Sequence, residues 1–304
     1  MLHGTTFRVN IARDTCLVSL AAVLGVLLVA NPVLPDLGGV SQLVCSFLPW
    51  LLIPSLLLAT LALVVRSVVG MAAVCAPLVA WSILFIPQLI DHPHAYATGA
   101  ELQVATMNLG SNGTADELTD AAIVSVQELT GRNRAAVAAA LDPQHPYTAT
   151  VGTVGLWSRF PLTNIQPLDL GQGWPRALRA EADTPFGDIT VYAAHLGSTR
   201  LGETASRNRT LRTLTDLVTQ DHSPRLLILG DLNTASTDPH LTPLTTDLQE
   251  ARTGLAFTWP APFPLTRPDH ILTRGFTTRA ATVLPANGSD HRAPTATLTP
   301  HVSR

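Results

Sequence analysis

The segment Leu226-Leu227-Ile228-Leu229-Gly230-Asp231-Leu232-Asn233 runs from an unbroken apolar stretch straight into a polar pair. Four bulky apolar residues bounded by turn signals are too few for a helix and read as a short buried strand, residues 225–229. Asp231 and Asn233 arrive just as that strand stops. An Asp in this position is more often a helix cap than a ligand, so its meaning depends on what stands elsewhere. The same arrangement recurs. Asn108 follows Val104-Ala105-Thr106-Met107, Glu128 follows residues 123–127, and His195 follows residues 189–194. Asp269-His270 comes after a Pro-rich loop, and Asp290-His291 after Asn287-Gly288-Ser289. Open α/β sheets carry their sites at strand ends, so this ordered set of carboxylates, amides and imidazoles predicts one polar edge.

The surrounding chain alternates strands and helices without a repeat. Strands are expected over residues 102–109, 123–126, 154–158, 179–182, 189–195, 270–273 and 295–298. Helices are expected over 114–122, over 132–141 (stopped by Pro143), and over 202–220, where Leu211, Leu214, Leu217 and Val218 share a face. Many strands with interleaved helices predict a layered α/β domain.

Taken in order, Thr106-Met107-Asn108, Val126-Gln127-Glu128, Gly155-Leu156-Trp157-Ser158-Arg159-Phe160-Pro161-Leu162, Ala194-His195-Leu196, Gly230-Asp231-Leu232-Asn233, Arg267-Pro268-Asp269-His270-Ile271 and Ser289-Asp290-His291 resemble the endonuclease/exonuclease/phosphatase superfamily. The likeness covers residues 101–300. It implies the deoxyribonuclease I-like sandwich, two packed β-sheets flanked by helices, and a metal-dependent phosphoric ester or diphosphate hydrolase. Mg2+ is the implied cofactor, with Mn2+ as the alternative. Glu128 would be its first ligand, with Asn108 and Asp290 next. Asp231 would orient the attacking water or hold a second metal, and Asn233 would donate to a phosphate oxygen. His291 would be base or phosphate contact, its ring fixed by Asp269, and His195 would face the phosphoryl group as acid or donor. Arg176 or Arg179 stands where some relatives carry a phosphate-binding arginine, with a surface arginine as the alternative. His270 reads as structural. Two departures stand out. Leu109-Gly110 lacks the acidic residue some nuclease relatives carry there. No Glu precedes the Trp157 strand to pair with the first histidine, which leaves the orientation of His195 open.

The first third of the chain has a different character. Between residues 15 and 90 the only charged side chains are Asp36 and Arg66. Residues 15–34, 42–65 and 67–90 are each apolar over the roughly 20 residues a membrane span needs. A cleaved signal peptide is the alternative for the first. The expected division is a three-helix transmembrane anchor at 1–92 and a catalytic domain at 93–304. Arg8, Arg13 and Arg66 fall on one side of the three spans, and no further arginine occurs until Arg132. The positive-inside rule then places the N-terminus in the cytoplasm and the domain outside, at the cell membrane. Asp91-His92-Pro93-His94 reads as the interfacial exit, with a histidine metal pair as the alternative.

Composition narrows the chemistry. All 19 basic residues are arginine, which excludes a lysine nucleophile. The three cysteines, Cys16, Cys45 and Cys75, lie in or beside the apolar stretches, so the polar domain offers no thiolate site. From residue 91 onward 16 Arg stand against 20 Asp and Glu, a formal charge of −4. Non-specific nucleic-acid binding draws on basic surface, so no stable nucleic-acid partner is expected. The apolar, aromatic loops at residues 171–175 and 257–264 read as a lipid-facing rim or as ordinary loop packing. The layout resembles membrane-anchored actinomycete members of the superfamily, the VanJ-type teicoplanin-resistance group. That resemblance implies the bilayer as partner, an undecaprenyl-type lipid-linked phosphate or diphosphate as substrate, and a role in the cell envelope and antibiotic resistance. An outward-facing nuclease and a non-catalytic membrane-bound binding module are the alternatives.

Overall fold

The structure is a computed structural model describing residues 10–35, 38–90, 101–200 and 202–301. Asp91-His92-Pro93-His94 lies outside the described residues. The chain separates into two compact units, Met1–Ile90 and Asp91–Arg304.

The first unit holds α1 (Ile11–Val29), α2 (Val40–Phe47), α3 (Leu52–Val64) and α4 (Val68–Leu89). α2 and α3 are joined through a 3-10 turn at Leu48–Leu51, so three helical rods, Ile11–Val29, Val40–Val64 and Val68–Leu89, are long and apolar enough to cross a membrane. The first ends earlier than expected because Asn31-Pro32 opens a 3-10 turn. Trp81 Nε1 donates to the Pro49 carbonyl at 2.7 Å, satisfying an acceptor at the α2–α3 joint. One polar clasp ties α1 to the α3–α4 turn. Ser67 Oγ accepts from Gly70 N at 2.9 Å and donates to Asp14 Oδ1 at 2.6 Å, while Arg13 Nη1 donates to the Val65 carbonyl at 2.9 Å. A Cβ on Gly70 would lie 2.6 Å from Leu17 Cδ1, so a larger residue there would have to displace the end of the Leu17 side chain.

The second unit contains twelve strands among the described residues: β1 (Leu102–Asn108), β2 (Ile123–Gln127), β3 (Tyr147–Val151), β4 (Val154–Ser158), β5 (Leu162–Leu168), β6 (Ala177–Thr184), β7 (Gly187–His195), β8 (Leu226–Asp231), β9 (Gln249–Glu250), β10 (Asp269–Arg274), β11 (Phe276–Val283) and β12 (Pro294–Pro300). Its helices are α5 (Arg134–Leu141), α6 (Ala205–Gln220) and the short α7 (Thr242–Thr245). The strands form two six-stranded sheets, β11-β12-β1-β2-β4-β3 and β5-β6-β7-β8-β10-β9. The pairs β1/β2 and β7/β8 are parallel; the other pairings are antiparallel.

The sheets pack face to face through Val104, Ile123, Leu156, Val191, Leu229 and Ile271. Residues on the opposite faces pack under helices. Met107, Val124 and Val126 meet Val137 and Leu141 of α5. Tyr192, Leu226 and Ile228 meet Leu211, Leu214 and Val218 of α6. Both faces of the central strands are therefore buried, which is why their sequences are continuously apolar. This is the sandwich expected from the motifs. Residues 114–122, expected as a helix, form only a 3-10 turn at Asp116–Leu118. The strands not expected include β3, β5, β9 and β11, the four sheet edges.

Asp221, just past α6, pins that helix to the sheet. Its Oδ2 accepts from Arg179 Nε at 2.9 Å and Tyr192 Oη at 2.8 Å, and its Oδ1 accepts from Ser223 N at 3.0 Å. Burial works against its charge, but Ser223, Arg179 and Tyr192 outweigh burial and hold the carboxyl well below its ordinary range. A depressed pKa stabilises the fold above the unfolded value of about 3.9 and the contribution fades as pH falls further. Asp221→Asn is expected to lower Tm by roughly 3–6 °C at pH 7, the loss of about 1–2 kcal/mol of charge-assisted hydrogen bonding. The gap between the two proteins narrows at pH 3, read by thermal melts of the full chain in detergent; a gap that does not change with pH overturns the assignment.

Candidate active site

Strand direction decides where the polar residues go. β1, β2, β7 and β8 end, and β10 begins, at the same edge of the sandwich. His195 pairs with Asp231 across β7/β8, and Asp231 pairs with Asp269 across β8/β10, so the three stand level on adjacent strands. Asn108 caps β1 opposite Gln127, which puts Glu128 beside it. The glycine before Asp231 is required by packing, since a Cβ on Gly230 would lie 1.9 Å from the Ala194 carbonyl oxygen.

The side chains converge. Asn108 Nδ2 donates to Asp231 Oδ2 at 2.9 Å and to Glu128 Oε1 at 3.3 Å, while its Oδ1 accepts from Gly110 N at 2.9 Å. Asn233 N donates to Asp231 Oδ1 at 2.8 Å, and Asn233 Nδ2 donates to the Leu196 carbonyl at 3.2 Å. Asp269 Oδ2 accepts from Thr258 Oγ1 at 2.6 Å and from His291 Nδ1 at 2.8 Å. The His291 loop is fastened to β1, because Ser289 Oγ donates to the Asn108 carbonyl at 2.7 Å and accepts from His291 N at 3.0 Å. Asp290 is exposed; a Cβ on Gly110 would lie 2.4 Å from its Oδ1, so Gly110 makes room for that carboxylate. Glu128 and Asn233 adopt positive φ, 57° and 48°. Asn tolerates this region; Glu does so at a cost, and such strain collects at functional sites.

The two histidines are driven apart electrostatically. Burial pushes His195 down to about 4, and the opposing pull of Asp231 is partly cancelled by Arg176 and His291. Burial also works against charge on His291, but Asp269, with Asp231 and Asp290, outweighs it and raises the ring to about 10. Asp269 therefore fixes a His291 that holds its proton and turns Nε2 outward.

The donor set fits a hard divalent cation. Asp231, Asp269 and His291 cluster with polar atoms within 4.8 Å of one another; the charged His291 ring offers no lone pair, so the two carboxylates are the ligands here, and Asp269 Oδ1 is buried with no hydrogen-bond partner. Oxygen donors of this kind suit Mg2+ or Mn2+. This grouping differs from the expected Asn108, Glu128 and Asp290, though the Asn108 amide links Glu128 to Asp231 and joins the two sets. Asn108 now places its nitrogen between the carboxylates; a half-turn of the amide would put its oxygen there, as a cation requires.

Of the expected arginines, only Arg176 reaches this edge, with Nη2 at 2.6 Å from His195 Nδ1. Arg179 does not: its guanidinium is bound by Asp221 and Glu181. His270 is a framework residue, bridging Glu250 Oε1 at 2.8 Å and the Thr234 carbonyl at 2.7 Å. Thr258 stands in the apolar loop 257–264, eleven residues before Asp269, and nothing in its residue type marks it as the partner of that carboxylate.

The pattern of the Endonuclease/Exonuclease/phosphatase family matches residues 99–291, more than half of the chain. No curated protein matches. Among solved structures, an endonuclease/exonuclease/phosphatase from Bacteroides vulgatus aligns at TM-score 0.56 and 14% identity over 66% of this chain and all (100%) of that one. Sphingomyelinase C from Streptomyces griseocarneus aligns at TM-score 0.51 and 18% identity, covering 65% and 99%. D. rerio TDP2 complexed with single-strand DNA product aligns at 0.54 and 15%, covering 66% and 99%. At these identities the likeness is one of fold.

A raised pKa stabilises the cation-free protein fully below the unfolded histidine value of about 6.5, and that contribution is lost as pH rises toward 10. In EDTA, wild-type Tm is expected to fall between pH 7 and pH 9.5, and Asp269→Asn to flatten the decline. Parallel curves for the two proteins contradict the pairing.

Proposed function

The chain belongs to the endonuclease/exonuclease/phosphatase family, and from that premise we propose a divalent-cation-dependent phosphoesterase at the outer face of the cytoplasmic membrane, hydrolysing a lipid-linked phosphate or diphosphate of the undecaprenyl-carrier type. The observation that carries the substrate class is an aromatic rim beside the polar edge, in a chain with three membrane-length apolar helices. Trp174 is 44% exposed and lies two residues before Arg176. Trp259 and Phe263, 38% and 67% exposed, belong to the loop whose Thr258 holds Asp269 and whose Ala261 N donates to the Asp290 carbonyl at 2.7 Å. Exposed aromatic surface next to phosphate chemistry suits an amphiphile whose headgroup reacts while its chain stays in lipid. The charge of −4 beyond residue 90 weighs against gripping a nucleic-acid backbone. Arginines at 8, 13 and 66 favour the outward orientation. A carrier-lipid hydrolase would connect the chain to cell-wall synthesis and to teicoplanin-type resistance.

In this reading Glu128, Asn108 and Asp290 would hold the cation, with Asp231 as the ligand of any second one. A bound cation supplies Lewis acidity and neutralises charge on the phosphate oxygens. Asp231, kept in place by Asn108 and Asn233, orients the attacking water. Asn233, beside Asp231, would donate to a phosphate oxygen. His291, fixed and charged by Asp269, contacts the phosphate through Nε2, and His195 faces the phosphoryl group from the other side of Asp231.

The test is direct. Full-length protein in detergent with Mg2+ is assayed for phosphate release from undecaprenyl diphosphate beside plasmid nicking. Lipid turnover without nicking is expected; nicking without lipid turnover replaces this reading with the nuclease. Glu128→Ala and His291→Ala are each expected to lower turnover about 100-fold or more. Glu128→Ala should leave Tm in EDTA near the wild-type value, because the Cβ that makes the positive φ costly is present in both, and abolish the Tm rise that Mg2+ gives wild type. Unchanged turnover in both variants removes the site assignment. For orientation, a cysteine placed at Thr119 should react with a membrane-impermeant thiol reagent added to intact cells; protection would reverse the topology.

A further inference from the structure

Arg176 and His195 meet twice at the head of the β6/β7 pairing. His195 N donates to the Arg176 carbonyl at 2.9 Å, and Arg176 Nη2 lies 2.6 Å from His195 Nδ1. A guanidinium has five N–H donors, no acceptor, and a charge it keeps throughout the working pH range. Nδ1 must therefore be the lone-pair nitrogen, and the ring's single proton sits on Nε2. That nitrogen is 3.7 Å from Asp231 Oδ2, so the N–H is directed at the polar edge. The ring is 4% exposed and has little room to turn over. On its far side the guanidinium carbon lies 5.3 Å from the centroid of the Trp174 ring. Among the described residues no carboxylate is in salt-bridge contact with Arg176, and its Nε is buried without a partner. The arginine is thus held by the indole and the imidazole rather than by an acid.

We propose that Arg176 is the positioning residue for His195, locking the neutral ring with its proton on Nε2 so that the histidine offers a fixed hydrogen-bond donor to a phosphate oxygen at the site. The acidic residue that pairs with this histidine in pancreatic-type relatives has no counterpart in this sequence. Here a cation fills that role with the opposite polarity. A carboxylate at Nδ1 would draw the proton there and favour a charged ring; a guanidinium forbids both. The role in turnover rests on the phosphoesterase reading, whereas the tautomer does not.

The experiment is 15N NMR of the histidine ring nitrogens in full-length protein in detergent, with the His195 signals assigned by their loss in His195→Gln. At pH 7.5 wild type should show an unprotonated Nδ1 and a protonated Nε2. Arg176→Lys, whose ammonium also only donates, should keep that pattern and turnover within about tenfold of wild type. Arg176→Glu should move the proton to Nδ1 and lower kcat about 100-fold or more, the scale of a lost acid–base or donor contact. The buried rings of His145 and His270 report that each variant is folded. A protonated Nδ1 in wild type, or an unchanged tautomer in folded Arg176→Glu, overturns the proposal. Absent lipid turnover with the expected tautomers would instead count against the substrate reading alone.

Discussion

Strand register across β7, β8 and β10 sets His195, Asp231 and Asp269 level with one another, and the remaining polar edge is arranged around the charge this concentrates. Two carboxylates on paired positions repel unless donors or a cation intervene. Asn108 from the opposite sheet supplies an amide to Asp231, while Thr258 and His291 supply donors to Asp269. The opposing sheets must therefore pack in one relative position for the site to exist. Ser125 Oγ donates to the Leu229 carbonyl at 3.1 Å and accepts from Gln127 Nε2 at 2.7 Å, a buried polar link between the sheets two residues short of the site. Gly230 permits β7 and β8 to approach closely enough to deliver His195 and Asp231 together.

The same edge separates its histidines by environment alone. One imidazole is placed against a guanidinium and kept neutral; the other is placed against a carboxylate and kept charged. Pairs of titratable groups pushed in opposite directions are the usual means by which one site supplies distinct donors near neutral pH. A cation arriving among Asp231, Asp269 and Asp290 would compete with the His291 proton for the same carboxylates, which couples metal affinity to pH.

What the sequence made legible follows burial. The central strands are covered on both faces, so their apolar runs and the polar residues that end them stood out, as did the amphipathic α6. The edge strands β3, β5, β9 and β11 bury little; β5, Leu162–Leu168, has no fully buried residue. Their composition resembles loop, so apolar periodicity does not mark them as strands. Residues 114–122 contain helix formers, but Leu118 is the main side chain they bury, and one turn suffices for it. Thr258 and the contact between Arg176 and His195 depend on side chains brought together from different elements, which no spacing rule encodes. Arg179 is the converse: the resemblance offers it beside Arg176 as a phosphate-binding arginine, yet it sits further along β6 and binds Asp221. The three apolar rods were legible because length and hydropathy are one-dimensional properties.

The central claim is that this strand edge binds a divalent cation through Glu128 and its neighbours. Crystals of the full chain grown with Mn2+ and measured for anomalous scattering test it most directly. The account predicts a peak about 2.2 Å from a Glu128 carboxylate oxygen, with Asn108 or the facing aspartates completing an oxygen shell. Anomalous density confined to other residues, with Glu128 unliganded at saturating Mn2+, would contradict it.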